Sequence, residues 1–186
     1  MNAPLNLGRT AIKPARLAHV VFRTNQLQNM VRWYCTVLGA EIAHSDAKIA
    51  FITYDDEHHR VAFVAASEYD PKPARTSVGF YHFAFSYRNL GELLSTYLRL
   101  KDAGIKPWRA IHHGPTVSFY FKDPDDNDVE LQVDSFAEAA RAVEYMRGPK
   151  FAENPIGINF DPEDLVARYQ AGEPEARLIQ RPDSLS

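Results

Sequence analysis

The 186-residue sequence predicts an α+β protein made of two copies of a β-α-β-β-β module. The order of strand-like, helix-like and turn-forming segments in residues 17–66 recurs in residues 79–134. His19 and His82 occupy matching places in the first strand of each copy, 63 residues apart. The same offset aligns two further pairs, Leu27 with Leu90 and Tyr34 with Tyr97. A unit that recurs at a fixed period indicates a duplicated supersecondary structure.

The first module begins with a short, β-branched and mostly apolar segment over residues 17–23, which predicts a buried strand. Apolar side chains at three- and four-residue steps then predict an amphipathic helix over residues 26–38, and Gly39 is a typical helix stop. Turn-forming Ser-Asp and Asp-Asp pairs separate three further predicted strands, over residues 40–44, 49–54 and 60–65.

The second module repeats this order. Residues 81–86 predict a strand, and residues 90–103 predict a helix that Gly104 ends. Three more strands are predicted, over residues 105–110, 116–122 and 128–133. We therefore predict one domain over residues 17–134, preceded by an N-terminal arm over residues 1–16.

The last segment, residues 135–186, differs from both modules. Its Ala, Glu and Arg content predicts a helix over residues 135–147, ended by a Gly-Pro pair. Asp161 as a cap, with proline at the next position, predicts a short helix over residues 162–170. The remainder is irregular, and we expect it to wrap the surface or to contact another copy of the chain in a homo-oligomer.

The composition is that of an ordinary globular protein, with 45% apolar and 24% charged residues. A formal net charge of −3 gives no broad basic surface, which argues against binding to nucleic acid. The single cysteine, Cys35, excludes an internal disulfide and a cluster of thiolate metal ligands. Because no apolar run is long enough to cross a membrane and no secretory signal is visible, we expect a cytoplasmic protein without membrane contact.

Three polar residues interrupt otherwise apolar strands and are the candidate metal ligands. His19 and His82 sit at equivalent places, where an unpaired polar group costs about 1 to 3 kcal/mol. In residues 128–133, alternation separates Glu130 from the apolar side chains of its strand. Two histidines and one carboxylate on one face of a metal leave the opposite positions open, which suits non-haem Fe(II) and its use of O₂. Mn(II) accepts the same ligands.

The chain resembles the vicinal oxygen chelate superfamily. The resemblance covers residues 17–133 and rests on the duplicated module and on three motifs: His19-Val-Val-Phe, His82-Phe-Ala-Phe and Ser118-Phe-Tyr-Phe-Lys-Asp-Pro-Asp-Asp-Asn-Asp-Val-Glu130-Leu. Within the superfamily it is similar to the type I extradiol catechol dioxygenases, the group that includes the 2,3-dihydroxybiphenyl dioxygenases. The resemblance implies a curved mixed sheet around a metal site, with His19, His82 and Glu130 as the iron ligands.

The same resemblance implies further site residues. His59, the second histidine of a His-His pair, matches a residue that lies beside the O₂ position in ring-cleaving members. Tyr120, ten residues before Glu130, matches a tyrosine that contacts the bound catechol. His112 or His113 matches another substrate-contacting histidine, and the spacing favours His112. These residues together imply extradiol cleavage of a catechol-type diol by O₂, as in aromatic catabolism.

Two departures from the family pattern and two alternative functions accompany this interpretation. The loop around residues 111–114 is shifted by at least one residue from the family spacing. Asp126 stands where the family's turn has glycine, and we expect it in a left-handed conformation. A non-redox metalloenzyme such as a glyoxalase-like isomerase is one alternative; the lack of a carboxylate in residues 60–66 counts against it. A metal-free protein that binds an aromatic drug is the other, and the presence of all three candidate ligands counts against that one.

Overall fold

The computed structural model describes residues 11, 13–70, 72–74 and 76–182, so most of the expected arm lies outside the described residues. The first module forms a four-stranded sheet in the order β1-β4-β3-β2, in which β1 and β4 are parallel and the other pairs antiparallel. Its elements are β1 (Val20–Thr24), α1 (Leu27–Leu38), β2 (Glu41–Ser45), β3 (Ile49–Thr53) and β4 (Val61–Ala65).

The second module repeats this topology in a second sheet, with the order β5-β8-β7-β6 and a parallel pair β5–β8. Its elements are β5 (His82–Tyr87), α2 (Leu90–Asp102), β6 (Arg109–His112), β7 (Thr116–Lys122) and β8 (Asp128–Asp134). The two matching sheets confirm the predicted α+β fold of two repeated modules.

The C-terminal segment adds five short elements, and one of them extends the second sheet. They are α3 (Ala139–Met146), α4 (Pro149–Glu153), β9 (Ile158–Asn159), α5 (Pro162–Gln170) and α6 (Glu175–Leu178). β9 pairs antiparallel with the edge of β6. Leu165, Val166 and Leu178 are buried in the same core as the modules. Residues 158–178 therefore belong to the core and do more than wrap its surface.

The helices form where the sequence predicts them, because each offers an apolar stripe to a sheet. Five residues of α1 are buried at helical spacing: Leu27, Met30, Val31, Tyr34 and Val37. The helix ends at Gly39, whose φ of 63° is a left-handed conformation that glycine adopts without strain. Asn89 begins α2 by accepting a hydrogen bond from the Glu92 amide. Side chains that alternate with these buried residues along the strands point to the opposite face of each sheet, away from α1 and α2.

The second module departs from prediction at β6. The expected strand over residues 105–110 starts instead at Arg109 and runs to His112. Pro107 explains the shift, because a proline has no amide hydrogen to donate to a sheet. The helix expected over residues 135–147 is shorter, as α3 begins only at Ala139. The short elements α4, β9 and α6 carry too little periodicity to predict.

β1 and β5 lie side by side and run in opposite directions. The ring centroids of Phe22 and Phe83 are 5.4 Å apart. Just past the end of β1, the Gln26 side-chain amide donates to the Pro124 carbonyl at 2.7 Å. Pro124 lies in the loop before β8, and the first residue of β8 pairs with His82. His19 lies just before β1, and His82 is the first residue of β5. Because the two strands run in opposite directions, the two histidines lie toward opposite ends of the strand pair.

No helix of the described residues is long and apolar enough to cross a membrane.

Candidate active site

His82 and Glu130 form a close pair on the face of the second sheet that points away from α2. They come from the adjacent parallel strands β5 and β8. His82 Nε2 lies 3.0 Å from Glu130 Oε2, and the carboxylate side chain is only 6% exposed. Val129 and Leu131, the neighbours of Glu130, are buried toward the helices, as alternation predicts. A buried carboxylate beside an imidazole provides two of the oxygen and nitrogen ligands that a divalent ion takes.

Tyr120 and His113 extend this pair. Tyr120 lies opposite Glu130 in the β7–β8 register, and its ring meets that of His82 edge to face at 5.6 Å. Its hydroxyl lies 2.8 Å from His113 Nε2. Burial and the nearby Glu130 carboxylate raise the pKa of Tyr120 above its usual value, so the phenol keeps its proton and can donate it in a hydrogen bond. We call His82, His113, Tyr120 and Glu130 the carboxylate cluster.

A backbone carbonyl determines which nitrogen of His113 carries the proton. His113 Nδ1 lies 2.5 Å from the carbonyl oxygen of Ile156. Because a carbonyl only accepts, Nδ1 donates to it, and Nε2 is left to accept from the Tyr120 hydroxyl. Burial lowers the pKa of His113 and favours this neutral form.

His112, which the spacing favoured, is not brought to this cluster. It is the last residue of β6, pairs with Val117 and is only 5% exposed on the helix side of the sheet. Burial lowers its pKa to about 4. The structure therefore places His113, and not His112, beside Tyr120, because side chains alternate along β6 and Arg109, four residues before His113, pairs with Tyr120.

His19 and His59 lie together beside the first sheet, just before β1 and β4. Their ring centroids are 4.5 Å apart, and the His59 ring also stacks on Phe51 at 4.7 Å. His58 Nδ1 lies 2.5 Å from His59 Nδ1. His19 is exposed, whereas burial, His58 and His19 together lower the pKa of His59. We call His19, His58, His59 and Phe51 the histidine cluster.

The predicted three-ligand set is divided between the two clusters. His82 and Glu130 are adjacent, but His19 contacts His59 in the other cluster. Across the part of the chain that the structure describes, no three His, Cys, Asp or Glu side chains are arranged to hold a metal ion. One chain, as folded here, therefore offers two of the three ligands at one point.

The loop before β8 leads into the strand that carries Glu130. Both oxygens of Asp123 are used: Oδ1 accepts from the Asn127 amide at 2.8 Å, and Oδ2 from the Tyr34 hydroxyl at 2.9 Å. Asp126 has the left-handed conformation expected of it, with φ of 60°. The loop thus ties α1 of the first module to the strand that carries the carboxylate.

The C-terminal segment supplies supporting residues that sequence reasoning missed. Asn154 and Gly157 close a tight turn, with the Gly157 amide donating to Asn154 Oδ1 at 2.8 Å. The turn presents the Ile156 carbonyl to His113. Arg181 stabilises the turn by donating a hydrogen bond to the Asn154 carbonyl at 2.7 Å. No local pattern marks these residues, because their partners lie far away in the sequence.

Comparisons with known proteins agree with this architecture. Residues 16–131 match the family model described as Glyoxalase/Bleomycin resistance protein/Dioxygenase superfamily. The chain is 44% identical over 167 residues to biphenyl-2,3-diol 1,2-dioxygenase 3 of Rhodococcus globerulus, covering 89% of this chain and 88% of that protein. It is 42% identical over 163 residues to biphenyl-2,3-diol 1,2-dioxygenase 2 of the same organism, covering 88% and 86%.

Among solved structures, a glyoxylase/bleomycin resistance protein/dioxygenase domain from Frankia sp. EAN1pec superposes with a TM-score of 0.55 at 17% identity, covering 69% of this chain and 98% of that one. Lactoylglutathione lyase from Agrobacterium tumefaciens gives 0.51 at 20% identity, covering 64% and 94%. At such identities these likenesses show the fold alone. The family model and the two closely similar dioxygenases go further, and the chain belongs to the glyoxalase, bleomycin resistance protein and dioxygenase superfamily.

Proposed function

We propose that this protein is an extradiol ring-cleavage dioxygenase, which opens a catechol-type diol with O₂. The observation that carries the proposal is the buried His82–Glu130 pair with Tyr120 and His113 beside it. These are the residue types that hold a metal and handle the protons of a bound diol. The strong similarity to two biphenyl-2,3-diol dioxygenases supports the same reaction.

Extradiol dioxygenases of this superfamily are metalloenzymes, and we propose Fe(II) as the metal here, with Mn(II) accepting the same ligands. His82 and Glu130 would hold it directly, and His19 is the third proposed ligand. The bound ion would bring the diol and O₂ together and allow charge to pass between them. The Glu130 carboxylate would be the one negatively charged protein ligand of the divalent ion. The positive charge that remains on the ion favours an anionic substrate.

The groups around the metal pair would manage the protons. The neutral Nε2 of His113 can accept a proton from a diol hydroxyl, since the Ile156 carbonyl keeps the other nitrogen protonated. The Tyr120 hydroxyl, which stays protonated, can donate a hydrogen bond to a substrate oxygen. We assign His59 the complementary task of donating a proton on the O₂ side.

Exposed aromatic side chains near the carboxylate cluster suit an aromatic diol. The Tyr81 ring lies 5.2 Å from that of His82, and the Trp108 ring lies 6.3 Å from that of Tyr120. They are 65% and 46% exposed. Flat rings at the mouth of a site bind flat ligands by stacking and by apolar contact.

The test is to reconstitute the protein with Fe(II) under anaerobic conditions and to add 2,3-dihydroxybiphenyl and a panel of smaller catechols. We expect O₂ uptake with a yellow ring-opened product that contains both oxygen atoms. His82→Ala and Glu130→Ala should abolish both signals, whereas His44→Ala, a change of an exposed histidine on β2, should leave them intact. Absence of uptake despite stoichiometric iron would refute the proposal and favour non-redox metal chemistry.

A further inference from the structure

We propose that Arg109 selects a catechol that carries a carboxylate on a side chain of its ring. The guanidinium of Arg109 would bind that carboxylate beside the carboxylate cluster, while the diol lies at His82 and Glu130. The inference rests on the proposed function, because it names the class of substrate that the same site takes.

Arg109 stands in one row with two residues of the carboxylate cluster. It pairs with Tyr120 in the β6–β7 register, and Tyr120 pairs with Glu130 in the β7–β8 register. Residues paired across a sheet point to the same face, so Arg109 shares the face of Tyr120 and Glu130. Neighbouring strands are about 4.8 Å apart, which puts the backbones of Arg109 and Glu130 about 10 Å from each other. A diol, its ring and a short acidic side chain together span such a distance.

The positive charge of Arg109 is not neutralised within the described part of the chain. Its Nε donates to Asn159 Oδ1 at 2.9 Å, and no carboxylate of the described residues lies within ion-pair distance of it. Lys122, two residues beyond Tyr120 on the same face, shows the contrast, since its Nζ lies 2.7 Å from Asp128 Oδ1. Arg109 is half-buried, where an unpaired charge costs more free energy than on the open surface. An anionic group of a ligand would supply the missing partner.

The hydrogen bond to Asn159 prepares the guanidinium for a carboxylate. Asn159 belongs to β9 and pairs with Ile111 of β6, so the sheet fixes its backbone. With Nε occupied in this way, the two terminal nitrogens of Arg109 remain to donate, and neither has an acceptor among the residues that the structure describes. Their parallel N–H groups match both oxygens of a carboxylate. The site therefore favours a carboxylate over an uncharged substituent.

Arg109 is also close enough to influence the groups that handle the protons of the diol. Burial is the main cause of the lowered pKa of His113, and the positive charge of Arg109 contributes to the lowering. Trp108, the residue before Arg109, is 46% exposed, and its ring lies 6.3 Å from that of Tyr120. An aromatic substrate can therefore rest against Trp108 with its diol toward the cluster and its acidic group toward Arg109.

Two catechols of similar shape test the inference, 3-(2,3-dihydroxyphenyl)propionate and its uncharged methyl ester. The Fe(II)-loaded protein should cleave the acid with a kcat/KM roughly 10- to 100-fold higher than that of the ester, as expected of a charge-assisted hydrogen-bonded pair. Because the contact lies away from the reacting atoms, most of the difference should be in KM. Calorimetry without O₂, and so without turnover, should show the same ratio in Kd.

Substitutions at Arg109 separate its charge from its shape. Arg109→Met removes the charge and keeps an unbranched side chain, and we expect the preference for the acid to disappear. Arg109→Lys keeps the charge but loses the two parallel donors, so it should recover only part of the preference. Arg32→Met is the matched control, because Arg32 is exposed on α1 and its loss changes the net charge equally. This control should keep the wild-type preference.

The salt dependence of the wild type gives a measurement that needs no variant. Raising the NaCl concentration should weaken the binding of the acid and leave the Kd of the ester unchanged, because salt screens the attraction between the half-buried guanidinium and the carboxylate. Equal Kd values for acid and ester at low salt would overturn the inference.

The variants add a second way to contradict it. If Arg109→Met loses activity equally toward acid and ester, Arg109 acts on the diol or on folding, and the inference is wrong. Failure of the iron-loaded wild type to cleave the acid, the ester and 2,3-dihydroxybiphenyl would instead overturn the proposed function. The two failures are therefore distinguishable.

Discussion

At the scale of single residues, the two neighbouring histidines at the end of β6 show how adjacent positions give one side chain different chemical roles. His113 faces the carboxylate cluster, with a carbonyl on one nitrogen and a phenol on the other. His112 faces the core and is only 5% exposed. The same side chain is thus a proton acceptor at one position and a buried neutral group at the next.

The burial of His112 predicts a pH-dependent stability. Burial lowers its pKa to about 4, against an ordinary value near 6.5. Between these values the unfolded chain binds a proton that the folded chain does not, so the free energy of unfolding decreases as the pH falls below about 6.5. At pH 7 both states are neutral and no penalty applies. The loss approaches roughly 3 kcal/mol near pH 4.

Urea unfolding at several pH values between 5 and 7 measures this effect. His112→Leu should flatten the dependence, because the residue no longer titrates. The shifts of His59 and His113 leave a smaller remaining slope. His44→Ala serves as the control and should keep the wild-type slope. An unchanged slope in His112→Leu would show that His112 is not the responsible group.

Tyr120 carries the prediction on catalysis at this scale. Tyr120→Phe removes the hydroxyl beside His113 and leaves the ring in place. Loss of one positioned donor costs about 100-fold in kcat, and we expect a smaller change in KM in steady-state oxygen-uptake assays. Tyr97→Phe is the control, because the Tyr97 hydroxyl donates a hydrogen bond to Glu163 of α5 and its loss should affect stability only. Equal kcat values for Tyr120→Phe and the wild type would exclude a role for the phenol.

At the scale of elements, the turn between α4 and β9 links the C-terminal segment to the site. Gly157 has φ of 100°, and a side chain there would collide with the backbone of His112. The turn delivers the Ile156 carbonyl to His113, and β9 continues from it into the second sheet. The segment beyond the duplicated modules is therefore part of the site's support.

Gly157→Ala should disturb this support. We expect a loss of about 1 to 3 kcal/mol in unfolding free energy from the strained conformation and the collision. We also expect a change in the protonated nitrogen of His113, measured by nitrogen-15 NMR of the imidazole. Gly172→Ala is a matched control, since Gly172 has φ of 83° but an added methyl group meets nothing within 4 Å. Should both variants leave the His113 spectrum unchanged, the turn does not position that ring.

At the scale of the whole molecule, the two duplicated modules contribute different residue types to the proposed site. Both modules place a histidine at the beginning of their first strand, but only the second places a carboxylate in its fourth. The two sheets have therefore diverged into one that carries histidines and one that carries the anion. Each sheet therefore contributes different proposed site residues, His19 and His59 from the first and His82 and Glu130 from the second.

The sequence by itself determined the elements and the candidate chemistry. Periodicity located both helices of the modules, and strand alternation placed Glu130 on the face away from them, because these patterns depend on near neighbours. The left-handed Asp126 was predicted from its turn. The sequence was therefore sufficient to predict the features that depend on contacts between residues close together in the chain.

The tertiary structure alone decided which residues meet. The choice of His113 over His112 depends on the register of β6 against β7, and the position of the proton on His113 depends on a carbonyl 43 residues away. The separation of His19 from His82 depends on how two sheets are set against each other. Contacts between distant segments arise from packing of the whole core, and a one-residue shift in register exchanges the faces of a strand. No short stretch of sequence contains that information.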